Sequence, residues 1–119
     1  MNKSNQLEER LIHFSVDVIK LCKSNNGSYA AEHLMKQLIR SSSSVALNYA
    51  EARSGESTRD FIHKMKLSLK ELRESYVNLK IQKGAKTITD SELLKTIFKE
   101  NDELISIFVS SIKTASNKL

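Results

Sequence analysis

No proline interrupts the 119 residues of this chain, and glycine occurs only three times. Proline and glycine are the strongest punctuators of a fold. An all-β sandwich or barrel needs many turns, so this scarcity argues against one. It also excludes collagen-like and proline-rich linker chains. The three glycines are Gly27, Gly55 and Gly84. Each sits where a run of helical periodicity breaks off. The length fits one domain and can bury a core without metal or disulfide support.

Four helices are predicted, over residues 6–24, 29–53, 58–82 and 90–117. In the first, Leu7, Leu11, Phe14, Val18 and Leu21 recur at steps of four and three. Ile12, Ile19 and Cys22 add a second stripe, a width expected to pack on more than one neighbour. Asn5 with Glu8 reads as a capping box. The second helix contains Ser41-Ser42-Ser43-Ser44, which resembles a linker. The register nevertheless passes through it: Leu34, Leu38, Ser41, Val45, Asn48 and Ala52 keep one phase, and Met35, Ile39, Ser42, Ala46 and Tyr49 another. A linker would hold no phase, so one helix is expected, ended by Ser54-Gly55. In the third, Phe61, Met65, Leu69, Leu72, Tyr76 and Leu79 face inward, and Lys83-Gly84 ends the helix. In the fourth, Thr89 and Glu92 form a capping box, and Leu94, Ile97, Leu104, Phe108, Ile112 and Ala115 face inward. Four such helices with short connections make an all-α, antiparallel up-down-up-down four-helix bundle.

The net charge is +5. All of it lies in residues 59–86, which hold eight basic and three acidic side chains. The remainder is balanced. Arg59, Lys66, Lys70, Arg73 and Lys80 follow at spacings of seven, four, three and seven, on one helix face with His63 among them. A phosphate backbone is met by such a row of cations. A solvated face partly neutralised by Glu71 and Glu74 has the same pattern. No aromatic residue interleaves with the row, so base stacking is not expected from it. On the second helix Gln37, Ser41, Ser44, Asn48 and Glu51 form a polar stripe. It fits either a specific helix or subunit contact, or ordinary surface residues.

Catalytic patterns are missing. A di-iron bundle needs two Glu-x-x-His motifs, whereas the chain has one Asp60-x-x-His63, and His13 and His33 stand apart. Cys22 lies on an apolar stripe and reads as an inert thiol. There is no glycine-rich phosphate loop, HExxH or G-x-S-x-G. Neither enzyme activity nor a cofactor or metal is expected. A single cysteine cannot form an intrachain disulfide and fits a reducing compartment. With no apolar span or signal core, a cytoplasmic location is expected.

The run from Gln37 to Ala52, QLIRSSSSVALNYAEA, resembles the family of four-helix-bundle proteins known from intervening sequences in bacterial 23S rRNA genes. Asp60 to Lys66, Lys70 to Ser75, Leu7 to Leu11 and Asp102 to Leu104 continue the resemblance. One departure is Asn78, where the family often has tryptophan. The resemblance implies a homopentamer with a central channel and no catalytic residue. The wider family is similar to the accessory variability determinant proteins of diversity-generating retroelements. Those are basic pentamers that bind nucleic acid and a reverse transcriptase. Five copies would carry about five times the charge of one, which favours polyanions. The partners implied are other copies of the chain, RNA or DNA, and a protein such as a reverse transcriptase.

Overall fold

The computed structural model describes residues 2–119. Its elements are α1 (Lys3–Leu21), a short 3-10 turn (Cys22–Ser24), α2 (Tyr29–Arg53), α3 (Thr58–Ala85) and α4 (Glu92–Ser116). No strand occurs among the described residues. The long dimension, 47 Å, is set by α3: a helix of that length rises about 42 Å.

Both capping boxes are corrected. The N-cap of α1 is Asn2, whose side chain accepts from the Asn5 N–H at 2.8 Å. The helix therefore starts a turn earlier than expected. Glu8 turns sideways instead, pairing with Arg53 of α2 at 2.9 Å, and Asn5 Oδ1 accepts from the same guanidinium at 2.7 Å. The N-cap of α4 is Ser91, which bonds the Leu94 N–H, while Glu92 pairs with Lys95. Short hydroxyl and amide side chains reach the orphan N–H groups of a first turn, and the nearest suitable one takes the role.

The four serines stay helical because they satisfy themselves locally. Ser42 and Ser43 hydroxyls donate back to the Ile39 carbonyl, at 3.2 and 2.7 Å. Such bonds leave the helical ladder in place. The helix α3 runs through Gly84 rather than ending there. Lys86 then takes the left-handed conformation, φ 58°, and the Thr87 N–H bonds the Gln82 carbonyl at 3.1 Å. That 6→1 closure is a Schellman end. Its stop is therefore fixed by backbone bonds, with lysine in a position where glycine is the usual choice.

Leu11, Phe14, Val18 and Leu21 of α1 form the core with Met35, Leu38 and Val45 of α2, Met65, Leu72 and Leu79 of α3, and Leu94, Ile97, Leu104 and Phe108 of α4. Each fully buried side chain of this size contributes roughly 1.5–3 kcal/mol. Tyr49 meets Phe108 edge to face at 5.9 Å, and Tyr76 meets Phe98 at 5.5 Å. The second stripe of α1 does not pack as expected: Ile12 and Ile19 are exposed, and Val16 with them. The neighbours α2 and α4 meet α1 on its inner side, so its outer side has no helix against it.

The helix α3 holds a different kind of inner face. Beside Met65, Leu72 and Leu79 it buries Ser68, Ser75, Asn78 and Gln82. Phe61, Leu69 and Tyr76, expected inside, are only half-buried. Two of these polar groups reach backbone carbonyls of a neighbouring helix. Ser68 Oγ donates to Val45 at 3.1 Å and Asn78 Nδ2 to Leu34 at 3.0 Å, both on α2. Asn101 of α4 makes the same kind of bond to Leu72 of α3, at 3.0 Å. A helix carbonyl has a second lone pair free for such a donor.

Candidate nucleic-acid interface

The pairs across the α2/α3 seam run in order: Glu51 with Lys64, Val45 with Ser68, Arg40 with Glu71 and Glu74, Leu34 with Asn78. Residue numbers fall along α2 as they rise along α3. This register decides which surface residues become neighbours.

The side chains of Arg59, Lys66, Lys70, Arg73 and Lys80 are all exposed, as is His63. Among the described residues, no carboxylate pairs with Arg59, Lys66, Arg73 or Lys80; Lys70 reaches Glu74 at 4.0 Å. The Lys80 ammonium also lies 5.8 Å from the centre of the Tyr76 ring. The two acids that the sequence sets against the row are drawn off by a different residue. Arg40 of α2 bonds both Glu71 oxygens at 3.4 Å and Glu74 at 3.3 Å. Arg40 also donates to Ser41 at 3.2 Å. It thus holds the acids on the seam side of α3, away from most of the row.

An open depression of about 900 Å³ lies on this face. It brings Lys66, Lys70 and Arg73 together with Gln37, Arg40 and Ser41 of α2, over Leu34, Leu69, Val77 and Ile81. Two residue sets read separately in the sequence, the cationic row and the polar stripe, therefore share one surface. Arg59 and Lys80 lie on the same row outside it. Within the polar stripe, Ser41 is buried, Ser44 and Asn48 are half-buried, and Gln37 and Glu51 are exposed. The stripe runs along the side of α2 that meets α3. Arg40 escaped the sequence reading because the charge count was taken along one helix at a time. Its placement in the helical phase beside Gln37 and Ser44 was the available signal.

A second depression, about 1110 Å³, opens at the end of the bundle between the start of α1 and the end of α4. None of the sequence-predicted site residues lines it. Nearby, Arg10 of α1 grips Glu100 of α4, with Nε at 3.0 Å from the carboxylate. That hydrogen bond raises the Arg10 pKa above its ordinary value; burial opposes it, and the charges of Glu100 and Glu103 add to it.

No group of three or more His, Cys, Asp or Glu side chains able to hold a metal ion occurs among the described residues. Cys22 is half-buried beside the core. No helix among the described residues is long and apolar enough to cross a membrane.

The fold and the run of residues along it match a known family: the model for the 23S rRNA-intervening sequence protein covers residues 3–110. The chain belongs to that family. A solved relative has the same fold. It is a protein of unknown function from the S23 ribosomal protein family of Bacteroides thetaiotaomicron VPI-5482, known from a crystal structure. It shares 28% sequence identity, with a TM-score of 0.83 over 94% of this chain and 99% of the relative. No curated protein matches the chain. This 23S rRNA-intervening sequence family member thus shares its fold with a relative of unknown function.

Proposed function

We propose that the protein is a non-enzymatic, homo-oligomeric helical bundle that binds nucleic acid through phosphate contacts. The observation that carries this reading is the uncompensated cationic row on α3. Arg59, Lys66, Arg73 and Lys80 face solvent without carboxylate partners among the described residues, and Arg40 engages the acids nearest to them. Cations left free in a row serve counterion release, which supplies affinity without sequence readout. In this reading Arg59, Lys66, Lys70, Arg73 and Lys80 are the phosphate contacts.

The opposed residue pairings across the α2/α3 seam support an up-down-up-down connection. The exposed stripe of Ile12, Val16 and Ile19 supports self-association, with a homopentamer as the proposed assembly. Such a stripe on an outer helix face has no partner among the described residues, and burying it against another copy is favourable. Size-exclusion chromatography with light scattering tests the assembly: a monomer at high concentration overturns it. The lone cysteine agrees with a reducing, cytoplasmic setting.

Fluorescence anisotropy with labelled RNA and DNA duplexes at two salt concentrations tests the binding. The expected result is affinity that falls with salt, with a log–log slope near 0.9 per phosphate contact on B-DNA. Replacing all five cations of the row by glutamine is expected to abolish binding while circular dichroism stays unchanged. Equal binding by the folded variant would remove the row from the site.

A second reading has its own support. Val77 and Ile81 are exposed among the cations, and apolar surface of that kind suits a protein partner. The bundle would then be a scaffold that docks an enzyme such as a reverse transcriptase. Salt-insensitive binding of a purified reverse transcriptase, with none of either duplex, would favour it.

A further inference from the structure

The α2/α3 face carries more than charge. Val77, between Arg73 and Lys80 of the cationic row, is 55% exposed, and Ile81, just past Lys80, is 49% exposed. A duplex presents a sheath of phosphate and sugar, which gains nothing from these side chains. A single strand presents unpaired bases, whose flat apolar faces do.

An aromatic group stands level with the end of this face. Tyr29, the first residue of α2, is 85% exposed. Its ring stacks on His33, with centroids 6.1 Å apart and planes 12° from parallel. Offset parallel rings at this separation lie in the attractive range. The pair therefore stiffens the tyrosine while leaving most of its surface to solvent. The seam register locates it. With Leu34 opposite Asn78 and Arg40 opposite Glu71 and Glu74, Tyr29 and His33 stand level with residues 79–83. That stretch contains Lys80, Ile81 and Lys83. Along α2 itself, His33 lies about 10 Å from Arg40 by helical rise. The aromatic that α3 sets beside its row, Tyr76, is half-buried against Phe98 and Lys80, whereas α2 supplies an exposed ring.

We propose that this face binds single-stranded nucleic acid, with a base stacked on the Tyr29 ring and its neighbours lying over Val77 and Ile81. Arg40, Lys66, Lys70 and Arg73 hold the phosphates. This rests on the phosphate-binding reading above and adds the strand type and the stacking residue. Stacking tolerates any base, so the site is sequence-indifferent.

The test uses the full chain and four labelled probes at one low salt concentration. They are a single-stranded oligouridylate, the same-length RNA duplex, an abasic strand with the same number of phosphates, and polyglutamate. The single strand is expected to bind about 5- to 150-fold more tightly than the abasic strand, the worth of one stacked base. Tyr29→Ala should lose that factor on the single strand and leave the abasic strand unchanged. Tyr29→Phe should keep it. The chain has three tyrosines and no tryptophan, so quenching of tyrosine emission on binding, absent in Tyr29→Ala, reports the stack directly. Equal affinity for based and abasic strands, or a silent and folded Tyr29→Ala, overturns the proposal while phosphate binding stands. Polyglutamate binding as tightly as the single strand also overturns it, in favour of an acidic polypeptide partner. Binding of no nucleic acid overturns both readings together.

Discussion

The helices α3 and α4 solve the same packing problem with different materials. Helix α4 lays an apolar stripe, Leu94, Ile97, Leu104 and Phe108, into the core, interrupted by one buried amide, Asn101. Helix α3 is the longest element and lines the seam with α2, yet its inner face alternates Met65, Leu72 and Leu79 with Ser68, Ser75, Asn78 and Gln82. In α4, area removed from water supplies the stabilisation. In α3, part of that area is replaced by side chains that bond backbone. Such a seam gains little net energy per bond, but leaving a partner unmade is costly. The difference teaches that α3 is specified in register and α4 chiefly in hydrophobicity. Small residues on the inner face of α3 also let α2 come near, which brings Arg40 beside the cationic row.

The comparison breaks first at its apolar end. Phe108→Ala is expected to destabilise by about 3–5 kcal/mol, since a large fully buried ring leaves a cavity. Urea denaturation measures it, and a loss below that of the seam variants would reverse the ranking of the two helices.

Next comes Asn78→Ala. Its Nδ2 donates to Leu34, and its Oδ1 accepts from Gln82 Nε2 at 2.7 Å. Gln82 in turn accepts from Thr87 at 3.1 Å. Removing the amide leaves a buried donor on Gln82 short of a partner, at about 1–3 kcal/mol. A double-mutant cycle with Gln82→Ala should show coupling; additive losses would mean the network is not one unit.

Asn101→Leu sharpens the contrast from the other side. Asn101 donates to Leu72, but its Oδ1 is buried without a hydrogen-bond partner among the described residues. Replacing such an amide by an apolar side chain of similar shape is expected to shift stability by less than about 1 kcal/mol, toward gain. A loss as large as that of Asn78→Ala would show that the orphan oxygen is satisfied in solution.

Per site, the smallest effect is expected on the outside of α3. Glutamine and lysine have similar helix propensity. The five-site glutamine variant of the cationic row should therefore change stability by no more than about 0.5 kcal/mol per site. Thermal melting beside the anisotropy titration separates the two consequences: large for polyanion binding, small for folding.

Much of the architecture was legible because helical periodicity is a property of the chain itself. The paired phases through Ser41 to Ser44 were enough to carry α2 across a run that composition alone makes a linker. The inner stripe of α4 was legible for the same reason. Helix α3 was read less well. Ser68, Ser75, Asn78 and Gln82 count as polar in any pattern, and their burial rests on bonds the pattern does not show: Ser68 and Asn78 to the Val45 and Leu34 carbonyls of α2, Ser75 to the Glu71 carbonyl, and Gln82 to the Asn78 and Thr87 side chains. The caps were misassigned because Asn2 and Ser91 stand within three residues of Asn5 and Thr89, and sequence cannot rank adjacent donors and acceptors that all suit the role.

The cationic row was determined by sequence alone, since spacing on one helix fixes the face on which Arg59, Lys66, Lys70, Arg73 and Lys80 stand. Whether that row is neutralised was decided only by tertiary structure. Glu71 and Glu74 lie along α3 from Lys70 and Arg73, but Arg40 reaches them from α2 across the seam. The aromatic end of the face has the same origin. Tyr29 is far in sequence from Lys80 and Ile81, and the opposed course of α2 and α3 sets it level with them. Periodicity along one helix is a local property; charge compensation and shared surface depend on distances between helices, which only their packing fixes.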